Sequence, residues 1–150
     1  MSEGAKRIAA ERERQIRNAR ARAVRRKSSR ECAALFNAKD ERRYWAKIDK
    51  NGSVPGHVIG LDACWNWTAF RKPNNGYGTF HIGGRSGAIV LAHRLSYQIH
   101  FGPVPDDLSV LHRCDNPACC NPGHLFLGTQ QDNVDDREAK GRGVHPPGRW

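Results

Sequence analysis

The chain has no apolar run approaching the roughly 20 residues that cross a bilayer, so no membrane span and no membrane partner are expected. Its first thirty residues lack the apolar stretch of an export signal. Glu3, Glu11 and Glu13 suit an organellar transit peptide poorly, and the expected compartment is cytoplasmic. Cysteine is scarce and odd in number, five in 150 residues. Without an export signal, and with three of the five close together beside histidines, the pattern favours metal over disulfides. Acidic residues are also scarce where cations are dense. Residues 1–30 carry eleven Lys/Arg against three Glu, whereas residues 31–150 carry fourteen against twelve acids. The net charge of +10 is therefore mostly an N-terminal property. Such an arm suits a polyanion, nucleic acid above all, because clustered cations displace counterions condensed on phosphates.

Residues 3–30 consist largely of good helix formers, with acid-before-base pairs Glu3–Arg7 and Glu13–Arg17. Ile8, Ile16 and Val24 make only a thin apolar stripe, which predicts an exposed helix. Apolar residues accumulate from Ala33 onward, and Asp40–Ile48 reads as a short helix closed by the Asn51-Gly52 turn. Cys32 stands alone and reads as a small hydrophobe. Residues 61–92 read as an antiparallel meander. Cys64, Trp65 and Trp67 open one strand, Tyr77–Ile82 form the next, and Ala88–Leu91 form a third, more buried one. Basic and aromatic residues on one side of such a sheet suit a DNA groove. Leu91–His100 has the spacing of an amphipathic helix, stopped by Gly102-Pro103.

The densest chemistry lies in 110–140. Cys114, Cys119 and His124 stand at C-x4-C-x4-H spacing, with Asn116-Pro117 and Asn121-Pro122-Gly123 forcing two tight turns between them. Three borderline-soft ligands so placed predict a structural zinc, which needs a fourth. Cys64 is the preferred candidate, with His57, His93 and Cys120 in competition. In a domain with few aliphatic residues, such a metal also contributes folding energy.

Val110-Leu111 begin a strand that delivers His112. Thr129-Gln130-Gln131-Asp132 is a capping box, opening a helix that carries Asn133 and Arg137 and ends near Lys140-Gly141. Strand, metal-tied loop and helix form a ββα-like unit. A neutral imidazole can take a proton from water near pH 7, and an amide carbonyl can hold a hard divalent ion beside a phosphodiester. By themselves a histidine and an asparagine are more often structural, so the pairing depends on what surrounds it.

The segment His112…Cys114…Cys119…Asn121-Pro122…His124-Leu125…Asp132-Asn133 resembles the HNH, or ββα-metal, endonucleases. Its zinc-bearing spacing is similar to that of His-Cys box homing endonucleases and small phage HNH proteins. Tyr44–Asp49, Cys64–Trp67, Gly76–Gly78, Ala92–Arg94, Gly102–Pro105 and Lys140–Arg142 extend the likeness over about residues 42–143. The resemblance implies His112 as general base and Asn133 as ligand of a catalytic Mg²⁺ or Mn²⁺. It implies Asn121 as the brace of the loop, and Cys64, Cys114, Cys119 and His124 as the structural zinc site. Arg85, Arg94 and Arg137 become candidates to contact phosphate oxygens. Two departures stand out. Leu111 occupies the place where some HNH enzymes carry an extra metal ligand, and no cysteine follows Cys120 to build a second zinc cluster.

The expected architecture is α+β: a basic helical or partly disordered arm at 1–40, an HNH domain at 41–143 with a small antiparallel sheet and the ββα-metal unit, and a flexible tail at 144–150. The expected activity is homing-type nicking or double-strand cleavage of double-stranded DNA by a protein of phage or mobile-element character. One His112 site cuts one strand, so a double-strand break needs a homodimer or two encounters. The alternatives are a zinc-stapled DNA-binding module that does not cut, and a nuclease acting on RNA or without site preference.

Overall fold

The computed structural model describes residues 13–14 and 34–141. Residues 1–12 and 15–33 of the expected arm, with Cys32, and the tail at 144–150 lie outside the described residues, while the arm's expected end at residue 40 falls inside a helix that starts at Ala38. Within them the fold is α+β, with helices and small antiparallel sheets.

Helix α1, Ala38–Trp45, is capped by Asn37, whose side chain accepts from the Asp40 amide at 3.0 Å. Asp40 is buried because it is fully used. It pairs with Arg43 and accepts the Gly83 amide at 2.9 Å, fastening α1 to a distant turn. The helix ends before the predicted Ile48, since Ile48–Asp49 instead form β1, paired antiparallel with β2, Asn66–Trp67. Strand β3, Thr79–Ile82, pairs with β4, Ala88–Leu91.

The predicted three-stranded meander is therefore not formed: β2 and β3 belong to separate two-stranded sheets, linked by a single bridge between Arg71 and Gly78. Competing backbone partners explain this. The Trp67 amide donates to Ala118 at 2.8 Å, and the Cys120 amide donates to Trp65 at 2.7 Å. The segment before Trp67 thus gives its hydrogen bonds to the cysteine loop. The Trp67 ring also lies against Gly78, where a Cβ would sit 2.4 Å from it.

The burial expected of β4 is corrected as well. Phe80 and Ile82 of β3 are buried, whereas Ile89 of β4 is 41% exposed. An all-apolar strand reads as covered on both faces, but a two-stranded sheet lying on a helix has one open face.

Helix α2, Ala92–Phe101, begins directly after β4 and stops at Gly102, whose φ of 93° is readily available only to glycine. The main core joins Tyr44, Trp67, Phe80, Ile82, Ala92, Leu95 and Cys120. Inside it, Tyr44 donates to the Ala92 carbonyl at 2.7 Å and Ser96 to the Cys120 carbonyl at 2.6 Å. A smaller core of Val104, Val110 and Leu125 lies under the sheet formed by β5, Ser109–His112, and β6, Leu125–Gly128. Helix α3, Gln130–Ala139, follows β6 with the expected capping box between Thr129 and Asp132 and with Lys140 at its C-cap.

Candidate metal centre and active-site cavity

Two asparagine turns shape the loop between β5 and β6. Asn116 accepts the Ala118 amide at 3.1 Å and donates to the Asn66 side chain at 2.7 Å. Asn121 accepts the Gly123 amide at 2.9 Å, and its Nδ2 donates to the Ala63 carbonyl at 3.0 Å. The second bond reaches the residue next to Cys64, so the middle asparagine braces both sides of the loop.

Cys64, Cys114, Cys119 and His124 converge, all buried, with one donor atom from each within 4.8 Å of the others. Nδ1 of His124 lies 3.5 Å from Cys119 Sγ and 3.7 Å from Cys64 Sγ. A zinc tetrahedron with ordinary bond lengths has N–S edges of about 3.6 Å. The donor set fits zinc in chemistry and in spacing. Of the residues that competed for the fourth position, Cys120 is in the main core, His93 packs elsewhere, and His57 contacts Asp115 at 2.8 Å.

The thiols are already polarised. A hydrogen bond between the two sulfurs lowers the pKa of the Cys114 thiol and raises that of Cys119. Burial raises Cys64. Nε2 of His124 is buried and, among the described residues, has no hydrogen-bond partner, whereas Nδ1 faces the sulfurs of Cys64 and Cys119.

Beside this centre lies a cavity of about 410 Å³, lined among others by Tyr77, His112, Asp115, Asn133, Asp136 and Arg137. It brings together His112 from β5 and Asn133 from α3, as expected, with Arg137 one helical turn beyond Asn133. Arg85 and Arg94 do not line it. Arg85 is exposed beyond β3, and Arg94 is half-buried on α2.

His112 is held firmly. Its Nε2 donates to the Cys119 carbonyl at 2.9 Å, linking it to a metal ligand's backbone. Its ring stacks on Tyr77 at 6.0 Å and packs against His93 at 4.6 Å. Burial, the largest influence, lowers its pKa, so the imidazole stays neutral. His93 is lowered further, to about 3, first by burial and then by its neighbour His112.

Tyr77 and Asp115 were not among the site residues expected from sequence, and His93 was considered only as a competing zinc ligand, not as a neighbour of His112. Ala92-His93-Arg94 was visible as a phrase, but nothing local showed that His93 would meet His112 across about twenty residues of chain. The one available signal was Asp115, directly after a metal ligand. It takes φ 58°, uncommon outside glycine.

The buried imidazoles make stability depend on acid. A histidine lowered in the folded state is protonated first in the unfolded chain, so stability falls as pH drops from about 6.5 toward 3, by at most about 1.4 kcal/mol per unit for His93. Urea midpoints between pH 7 and pH 5 should show this fall, and His93→Phe should flatten the slope. An unchanged slope in that variant would assign the acid sensitivity to His112 or the cysteines instead.

The profile of the HNH endonuclease family matches residues 90–135, from the end of β4 into α3. The chain is 42% identical over 82 residues to Protein 7.7 of Escherichia phage T7, a match covering 55% of this chain and 60% of the relative. It is 40% identical over 84 residues to Protein 2.8 of the same phage, covering 56% and 55%. A gene 5.3 protein of Enterobacteria phage T3 is 31% identical over 74 residues, covering 47% of this chain and 73% of that protein. The chain thus spans little more than half the length of the two T7 relatives. No solved structure matches it. The matched span contains His112, Asn121 and Asn133 with three of the four converging candidate metal ligands, and this segment belongs to the HNH endonuclease family.

Proposed function

We propose that this protein is a metal-dependent endonuclease that hydrolyses phosphodiester bonds in double-stranded DNA, with His112 as general base and Asn133 as ligand of the catalytic divalent ion. The observation that carries this reading is the shared cavity: His112, Asn133 and Arg137 face one space from two different elements. A non-cutting DNA-binding module has no need of that pairing.

The tautomer of His112 follows from its partner. A carbonyl oxygen only accepts, so the proton sits on Nε2, and Nδ1 keeps its lone pair for the proton of an attacking water. As the water oxygen bonds to phosphorus, that proton passes to Nδ1 and the bond to the leaving 3′ oxygen breaks. Lowering of the His112 pKa by burial keeps this nitrogen available at neutral pH. The Asn133 side chain offers the hard carbonyl oxygen that Mg²⁺ or Mn²⁺ accepts. Such an ion, when bound, neutralises charge on the phosphate and on the departing oxygen. Arg137, exposed on the cavity wall, offers a cation for a phosphate oxygen. The zinc set of Cys64, Cys114, Cys119 and His124, braced by Asn121, holds the frame. The basic arm at 1–40 supplies sequence-independent attraction to DNA.

The test is supercoiled plasmid DNA incubated with the full chain and Mg²⁺, compared with duplex RNA. Relaxed or linear DNA, lost in chelator and restored by Mg²⁺, supports the proposal. Binding without cutting would leave a zinc-stapled DNA-binding module, and preferential cutting of RNA would reassign the substrate.

A further inference from the structure

Helix α3 carries Asn133 yet buries none of its residues. A helix is ordinarily held by an apolar stripe against a core. Here Val134, its one aliphatic side chain larger than alanine, is only half-buried. The position of α3 over the cavity therefore depends on polar ties at its two ends.

At the N-terminal end the capping box joins α3 to β6. Thr129 donates to Asp132 from its amide at 2.7 Å and from Oγ1 at 2.9 Å, and the Asp132 amide donates back at 3.2 Å. At the other end stands Lys140, whose side chain is 19% exposed. Its ammonium has three donors and reaches three acceptors: the Arg113 carbonyl at 3.3 Å, Asp115 Oδ1 at 3.2 Å, and Asp136 Oδ2 on its own helix. Arg113 and Asp115 belong to the loop that directly follows His112. Asp115 is gripped from its other oxygen by His57 at 2.8 Å, and its backbone holds a left-handed φ that persists only where the surroundings insist on it.

We infer that Lys140 is a positioning residue, pinning the last turn of α3 to the loop after His112 and so setting the spacing between Asn133 and His112. The inference rests on the reading of those two residues as ion ligand and base. Geometry supplies the scale. Asn133 lies about 6 Å along the helix from the Thr129 hinge, so a swing of about 10° moves it about 1 Å. Misplacement by that distance can cost about 100-fold in rate. The capping box alone is a hinge; Lys140 makes a second fixed point.

Two variants of the full chain test this: Lys140→Met, which keeps the stem without the charge, and Lys140→Arg, which keeps the cation. Lys140→Met is expected to retain zinc and to lower kcat on plasmid by about 10–100-fold with KM for DNA little changed. The Mg²⁺ concentration for half-maximal rate should rise, and the amides of Asn133–Ala139 should exchange hydrogen faster while those of β5 do not. Lys140→Arg should recover most of the rate and the protection. Raised KM with unchanged kcat would overturn the inference and make Lys140 a phosphate contact. Wild-type exchange across α3 in Lys140→Met would overturn it too. Should Lys140→Met fail to fold, the arginine variant decides, and rates as low as a broken clamp with zinc retained would refute the idea. If the wild-type protein cuts no nucleic acid, the nuclease reading falls, while the exchange comparison still decides the clamp.

Discussion

His112→Ala should bind plasmid DNA as the wild type does and nick it about 10²–10⁴-fold more slowly, the usual effect of removing a general base. The magnitude reflects how completely the ring is committed. Its Nε2–H is held by the Cys119 carbonyl, its ring packs with Tyr77 and His93, and the residue lines the cavity. Alanine leaves the Cys119 carbonyl without its donor, at a cost of roughly 1–3 kcal/mol. That contact uses only the Cys119 backbone and leaves the ligand sulfurs, His124 and the main core untouched, so the variant should remain folded. His112→Gln is the sharper control, since it replaces a ring with an amide that can still donate to Cys119 but cannot act as a base near pH 7. Single-turnover nicking beside a gel-shift titration reads both properties. A His112→Ala protein that cuts at the wild-type rate would remove the base assignment and return the cavity to a binding role.

Cys119→Ser should lose the zinc, and with it the native fold at room temperature. Cys119 is wholly buried and pairs with the other three ligand positions, while its neighbours hold two parts of the chain together. Asn66 bridges to Cys119, and the Trp67 and Cys120 backbones bond across the same seam. Structural zinc contributes apparent binding energies on the order of 10–16 kcal/mol in small zinc domains, comparable to the whole stability of a domain this size. Elemental analysis should find about one zinc per wild-type chain and markedly less in Cys119→Ser, with loss of cooperative thermal unfolding. The adjacent Cys120 makes the comparison specific. It sits in the aromatic core, where burial raises its thiol to about 12, and Cys120→Ala should keep the zinc. A Cys119→Ser protein that unfolds cooperatively without zinc would show that packing alone holds the loop.

Both outcomes bear on one division of labour. The candidate metal ligands lie on a loop between β5 and β6, and that loop accepts from His112 through a carbonyl, accepts from Lys140 through a carboxylate, and pairs its backbone with β2. Zinc removal should therefore disturb His112 and α3 together, although neither touches the ligand atoms.

Features encoded in short stretches of chain were legible in the sequence. The capping box at Thr129–Asp132 and the turns at Asn116 and Asn121 each need only a few neighbouring residues, because a side chain satisfies a backbone group close to itself in sequence, and the stop at Gly102 needs only glycine's access to positive φ. Spacing also identified Cys114, Cys119 and His124, since two tight turns bring residues five apart to one point. Cys64 was reachable only as a preference among four residues. The tertiary structure decided it, through the Asn121–Ala63 bond and the pairing of Trp65–Trp67 with the cysteine loop. The same pairing broke the expected meander, and the one-sided cover of β4 left Ile89 exposed, both consequences of which backbone edge was already occupied. The packing of His93 and Tyr77 on His112, and the reach of Lys140 to the loop after it, likewise have no local signature. They join residues about 20 to 35 positions apart, where loop closure and packing, rather than propensity, choose the partner.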